Sequence, residues 1–258
     1  MDIAQEKIIE IAYEAGREIL RIYNDPEFFA EVEVKADQSP LTLADKRSND
    51  IIGAGLSEIH PEIPIISEEG KEVLFRDRKN YDRFWLVDPL DGTKEFINRN
   101  GEFTVNIALI ENNYPVAGFI YAPVLDCLYY AVDGKAFKRE DGLNSRLSVR
   151  NKNNQRVAVR SRSHAVPAEE EILRAYDVIE SVSRGSSLKF CIVAEGKADL
   201  YYRHGPTMEW DTAAGQAVLE SSGGRMYVGD DTAERFVYNK ENLLNPGFLC
   251  LGFPPNEK

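Results

Sequence analysis

The chain has 258 residues, 43% hydrophobic and 29% charged, an ordinary globular composition long enough to bury a core without disulfides. Its formal net charge of −12 at pH 7 makes nucleic acid a poor partner, and any anionic substrate would have to be met by local cations. No uncharged apolar run approaches the roughly 18 residues needed to span a bilayer, and residues 1–7 lack the regions of a secretory signal. Cys127, Cys191 and Cys250 form neither a disulfide framework nor a thiolate zinc pattern, which points to a reducing cytoplasm.

Apolar residues at Ala4, Ile8, Ile11, Ala15, Ile19 and Ile22 recur every three or four positions and predict an amphipathic helix. After Pro26, Val32-Glu33-Val34 begins a short strand. Thr42-Leu43-Ala44-Asp45 fits a capping box, with a helix running on towards His60-Pro61. Residues 63–66 read as a brief strand ending at Ser67-Glu68-Glu69-Gly70, and Phe84-Trp85-Leu86-Val87 as a buried strand stopped by Asp88-Pro89. Strands 103–110 and 116–121 flank the turn residues 112–115, and strands 125–132 and 135–138 flank Asp133-Gly134, giving two hairpins. The polar stretch 139–155 interrupts this pattern and is the expected boundary between an N-terminal α+β part, 1–150, and a C-terminal α/β part, 151–258. Beyond it come strand 156–160, helix 168–176, strand 178–182, helix 187–194, strand 198–203 and helix 210–221, the last closed by Gly223-Gly224. Helices layered on two sheets are expected.

Several familiar signatures are missing, among them the Walker A loop, GxGxxG, HExxH and GxSxG. Ser186-Ser187-Leu188-Lys189 matches SxxK, but the KTG and SDN elements that accompany it in penicillin-recognising enzymes are not there. His60, His164 and His204 show no ligand spacing. The informative segment is Trp85-Leu86-Val87-Asp88-Pro89-Leu90-Asp91-Gly92-Thr93. A buried strand runs out into two carboxylates three residues apart; Pro89 fixes one φ and Gly92 permits a sharp turn. That arrangement can aim both acids and the Leu90 carbonyl into one small volume, the all-oxygen cluster that hard divalent cations require. A strand-ending turn would use Asp and Gly too. Glu68-Glu69 and Trp210-Asp211 are further acids, with a solvated loop and a helix N-terminus as their plainer readings. Converging carboxylates repel and shift one another's pKa, a conflict that bound Mg²⁺ resolves.

Together, Glu68-Glu69, Asp88-Pro89-Leu90-Asp91-Gly92-Thr93 and Trp210-Asp211-x-Ala213-Ala214-Gly215 resemble the inositol monophosphatase superfamily of lithium-sensitive, magnesium-dependent phosphatases. Four more stretches look like its bacterial CysQ-type branch, the 3′(2′),5′-bisphosphate nucleotidases. These are Lys35-Ala36-Asp37-x-Ser39-Pro40-x-Thr42-x-Ala44-Asp45, Asp91-Gly92-Thr93-Lys94-Glu95-Phe96-Ile97, the run 100–108 and Ser186-Ser187-Leu188-Lys189-Phe190-Cys191. The resemblance spans roughly residues 35–253 and implies a layered αβαβα sandwich of the inositol monophosphatase and sugar phosphatase type.

The resemblance also implies the site. Glu68, Asp88, the Leu90 carbonyl, Asp91 and Asp211 would hold two to three Mg²⁺ ions. Asp45 and Thr93, with Glu68 through its metal, would orient the attacking water. Gly92 and Thr93 would donate to the phosphate, and His164, Ser186, Lys189, Arg203 and Asp211 would lie on the substrate side. Most metal ligands thus fall in 1–150, while 151–258 supplies Asp211 and the substrate-side residues. The implied reaction converts adenosine 3′,5′-bisphosphate to AMP and phosphate, with 3′-phosphoadenosine 5′-phosphosulfate as a further candidate, in sulfur metabolism.

The substrate would be a small nucleotide bisphosphate, and the protein a cytoplasmic monomer or homodimer. Relatives of this type also sit peripherally at membranes, although no strongly basic amphipathic helix is visible here. An inositol-1-phosphate or broad sugar phosphatase is the alternative enzyme, against which Lys94-Glu95-Phe96 argues. A catalytically silent nucleotide-binding protein is the alternative outside enzymes. A haloacid-dehalogenase phosphatase would need its two acids two residues apart, not three.

Overall fold

The computed structural model describes residues 3–25, 33–34, 40–41, 43–150, 155–161 and 167–255. Helix α1 (Gln5–Tyr23) buries the stripe Ile8, Ile11, Ala15, Ile19 and Ile22, the spacing the sequence dictates. The short antiparallel pair β1 (Glu33–Val34) and β2 (Pro40–Leu41) precedes α2 (Leu43–Ile59). Next come β3 (Ile65–Ser67), α3 (Phe75–Arg78), β4 (Arg83–Asp91), α4 (Thr93–Ile97), β5 (Thr104–Glu111) and β6 (Tyr114–Ala122). Strands β7 (Cys127–Val132), β8 (Lys135–Glu140) and β9 (Leu143–Arg146) complete a first sheet of seven strands, ordered β3-β4-β5-β6-β7-β8-β9.

After it lie β10 (Arg156–Ser161), α5 (Pro167–Ala175), β11 (Val178–Arg184), α6 (Leu188–Ala194), β12 (Leu200–Arg203), β13 (Thr207–Met208) and α7 (Glu209–Ser221). The chain finishes with β14 (Arg225–Val228), β15 (Asp231–Arg235), β16 (Leu244–Asn245) and β17 (Phe248–Leu251). The second sheet is ordered β11-β10-β12-β17-β14-β15.

Five layers result, because alternate residues of each central strand feed different cores. Trp85, Val87, Val105, Ile107 and Phe119 pack with α1 and α2. From the same strands, Phe84, Leu86, Ala108 and Ile120 pack with α6, α7 and the inner face of the second sheet, including Val159, Tyr201 and Phe248. The outer face of that sheet, with Ala158, Leu200 and Leu249, is covered by Leu173 of α5. The expected αβαβα sandwich is therefore what forms. A Cβ on Gly118 of β6 would stand 2.7 Å from the Ala214 carbonyl of α7, so glycine there lets the middle helix lie close on the sheet.

Two expectations need revision, and one region carried none. Strand β4 does not stop at Asp88-Pro89 but continues to Asp91 through a bulge: Asp88 pairs with Asn106 and Asp91 with Thr104, leaving two residues of β4 opposite one of β5. The stretch 139–155 is not wholly an interruption, since β8 runs to Glu140 and pairs with β9 around Asp141-Gly142, both at positive φ. The strands after Gly224 carried no expectation, yet β17 joins the two halves of the second sheet. The strand start expected at Val32, the Lys35-Ala36-Asp37 motif and the expected cap at Thr42 lie outside the described residues. No helix among the described residues is long and apolar enough to cross a membrane.

Candidate active site and metal centre

Glu68 follows β3 and is held to β4 by its own amide, which donates to the Val87 carbonyl at 3.1 Å. Asp88, 1% exposed, sits at the start of the bulge, where the Leu90 amide donates to its Oδ1 at 3.1 Å. The bulge is pinned from behind by α2: Ser48 Oγ donates to the Pro89 carbonyl at 2.7 Å. Asp45, in the first turn of α2, is equally out of water. Asp211 belongs to the first turn of α7, and its Oδ2 accepts the Met208 amide at 2.7 Å.

Each of Glu68, Asp88 and Asp211 offers an oxygen within 4.8 Å of the others. Burial, then the nearby Glu68, Asp91, Asp211 and Asp45, raises the Asp88 pKa well above the usual carboxylate range. Asp211 is only half-buried as a residue, but its carboxylate is removed from water; that desolvation first, then Asp91 and Glu68, raise it to about 8 against the pull of the Met208 amide. An all-oxygen cluster whose members push one another towards protonation is the donor set a hard divalent cation satisfies, so the residues fit such an ion.

Asp91 closes β4 beside this trio, and its Oδ2 accepts the Ser187 hydroxyl at 2.7 Å. Leu90 lies in the bulge with its side chain buried. Gly92 turns at φ 93°, and Thr93 opens α4 directly after it. A Cβ on Gly92 would stand 3.1 Å from Ser186 Cβ, so the Gly92 turn and the Ser186 turn meet here.

Just ahead of α6, Ser186 adopts φ 42°, and the buried Lys189 turns its Nζ onto the Ser186 carbonyl at 2.5 Å and over the Tyr201 ring. Burial first, and then Arg203 against the pull of Asp91, pushes the Lys189 ammonium down to about 8. Arg203 donates from Nη1 to Ser161 Oγ and from Nε to the Gly205 carbonyl, both at 3.3 Å. His164 lies outside the described residues. Sequence reasoning included Thr104, Asn106 and Ser187 in its motif stretches but gave them no role at the site, although they surround Asp91. The signal was present: two polar residues on one face of an otherwise apolar strand must find partners.

The sequence profile of the inositol monophosphatase family matches residues 4–248. The chain is 46% identical over 244 residues to the 3′(2′),5′-bisphosphate nucleotidase CysQ of Salmonella typhimurium, covering 94% of this chain and 97% of that one. It is 35% identical over 251 residues to the enzyme of the same name from Haemophilus influenzae, covering 95% and 91%. The crystal structure of CysQ from Bacteroides thetaiotaomicron, a bacterial member of the inositol monophosphatase family, superposes with a TM-score of 0.82 at 43% identity, covering 97% of this chain and 98% of that one. With that match along residues 4–248 and relatives 46% identical over nearly the whole chain, the chain belongs to the inositol monophosphatase family.

Proposed function

We propose that this chain is a magnesium-dependent 3′(2′),5′-bisphosphate nucleotidase that removes the 3′-phosphate of adenosine 3′,5′-bisphosphate, leaving AMP. The observation that carries the reading is the convergence of Glu68, Asp88 and Asp211, in a chain 46% identical to CysQ over 94% of its length. Its family is metal-dependent, and magnesium is the ion the oxygen-only donor set favours. Glu68, Asp88, Asp91, Asp211 and the Leu90 carbonyl would hold two to three Mg²⁺ ions, which when bound neutralise phosphoryl oxygens and make water acidic enough to attack at neutral pH.

The protein's own groups do the rest. Asp45 and Thr93 orient the attacking water. The Gly92 amide and the Thr93 hydroxyl donate to the scissile phosphate. Ser186, Lys189, Arg203 and His164 hold the nucleotide and its second phosphate, the charge the metals leave unneutralised. Residues 1–150 carry most of the metal ligands and 151–258 the substrate side with Asp211, a division that follows the two sheets, since β9 ends at Arg146 and β10 begins at Arg156. Three buried free cysteines fit a cytoplasmic setting.

The test is a magnesium-dependent phosphate-release assay with adenosine 3′,5′-bisphosphate and inositol 1-phosphate side by side. A kcat/KM at least about a hundredfold higher for the nucleotide is expected. Preference for inositol 1-phosphate, or equal turnover of both, would overturn the nucleotide assignment.

A further inference from the structure

Strand β5 places Thr104 and Asn106 in the core, 0% and 1% exposed, where apolar residues would pack without penalty. Their hydrogen bonds have one consistent polarity. The Thr104 hydroxyl donates to Asn106 Oδ1 at 3.0 Å, which fixes the amide with its Nδ2 facing the other way. Asn106 Nδ2 donates to Ser187 Oγ at 2.9 Å and reaches Asp91 Oδ2 at 3.3 Å. With its oxygen taken by Asn106, the Ser187 hydroxyl gives its proton to Asp91 Oδ2 at 2.7 Å, beside the Asp211 carbonyl at 3.1 Å. Since the Thr104 proton is committed to Asn106, the contact of Thr104 with Ser186 at 3.2 Å must have Ser186 as donor.

We propose that Asn106 and Ser187 are positioning residues that clamp Asp91: they occupy its Oδ2 and thereby reserve Oδ1 for a cation. Through Thr104 the same network fastens the substrate-side Ser186 to the metal-side strand, so one chain of hydrogen bonds joins both halves of the site. The inference rests on the metal-site reading above and deepens it. Its force is entropic and geometric: a carboxylate already locked in rotamer loses less freedom on meeting an ion, and outer partners of metal ligands commonly account for about ten- to a hundredfold in affinity.

Magnesium titrated calorimetrically into the metal-stripped full chain, with no nucleotide present, tests the clamp. Ser187→Ala and Asn106→Leu are expected to weaken magnesium binding by about tenfold or more, and to raise half-saturating magnesium for activity in parallel. KM for the nucleotide at saturating magnesium should stay within about threefold, because the clamp does not touch substrate. Ser187→Thr, which keeps the hydroxyl, should restore wild-type affinity. If Asn106→Leu fails to fold, Ser187→Ala, which removes one oxygen atom, decides alone. Magnesium affinity unchanged in the folded variants, with only a lower Tm, would overturn the clamp and leave these residues as ordinary satisfied core polar groups. Because the titration omits nucleotide, it decides the clamp even if the wild type prefers another phosphate, a result that would overturn the substrate assignment alone.

Discussion

Glu209 and Asp211 stand two residues apart in the first turn of α7, in opposite surroundings. Glu209 is fully buried and paired: Oε2 accepts the Asn239 amide at 2.8 Å, while Oε1 accepts the Lys240 amide at 2.9 Å and Lys240 Nζ at 2.7 Å. Arg78 of α3 reaches into the same loop, donating to Asn239 Oδ1 at 2.8 Å and to the Lys240 carbonyl at 2.7 Å. Asp211 faces other acids instead, and its pKa climbs to about 8. An acid supplied with its own ammonium holds the fold, whereas an acid placed among acids leaves its charge for a cation from outside.

The largest effect tests the acid cluster. Asp88→Asn should lower kcat about a thousandfold, about 4 kcal/mol at the barrier, while the metal-free protein becomes more stable because one repelling charge is gone. A variant keeping more than about a tenth of wild-type kcat would contradict the central role of Asp88.

Glu209→Gln should do the reverse. It leaves Lys240 without its counter-charge and should cost about 3 kcal/mol in urea unfolding, with or without magnesium. A stability gain in the metal-free protein, as expected for Asp88→Asn, would show that the two acids are alike after all.

This contrast also marks how far the sequence can be read. The segment Asp88 to Thr93 was legible because its acids are joined by a few bonds, and the sharp turn forecast for Gly92 is there at φ 93°. Helix α1 was legible from its stripe of isoleucines. In Glu209-Trp210-Asp211 nothing local says which acid is neutralised, since Asn239 and Lys240 arrive from another loop. The passage of β4 through Pro89 was hidden for the same reason: proline lacks a donor, and only a bulge against β5 makes the strand continue. The Ser187 and Asn106 partners of Asp91 come from α6's leading turn and β5, far apart in the chain. The β8–β9 hairpin was missed differently, because the Asp141-Gly142 turn was present in the sequence and its flanks looked too polar for strands.

Lys189 sharpens the comparison from the cationic side, as a buried ammonium held by a carbonyl and a ring and, among the described residues, without a carboxylate partner of the kind Lys240 has. If it serves the second phosphate, Lys189→Met should lower kcat/KM for adenosine 3′,5′-bisphosphate by roughly ten- to a hundredfold, about 1.5–3 kcal/mol, and spare inositol 1-phosphate. Equal losses on both substrates would make it a support for the Ser186 turn. Its depressed pKa of about 8 adds a signature: the preference for the doubly phosphorylated substrate should fade as pH rises past that value.

The smallest effect is read without substrate. Asp88 and Asp211 have folded-state pKa values above those of unfolded carboxylates, Asp211 at about 8. Between the unfolded value near 4 and that folded value, the metal-free native state therefore binds more protons than the unfolded chain. Stability must then fall as pH rises through this window, being fully retained only below it. Magnesium removes the reason for those protons, so the Tm of the stripped protein should decline from pH 5 to 8 while that of the loaded protein stays flatter over the same span. At ten times the dissociation constant the ion adds about 1.4 kcal/mol, and the gap between the two Tm curves should widen with pH. Glu209→Gln should leave that widening intact, since its carboxylate answers to Lys240 and not to the ion. Asp88→Asn should shrink it. Parallel Tm curves with and without magnesium would mean the cluster is neutralised from within, and the distinction between the two acids would fall.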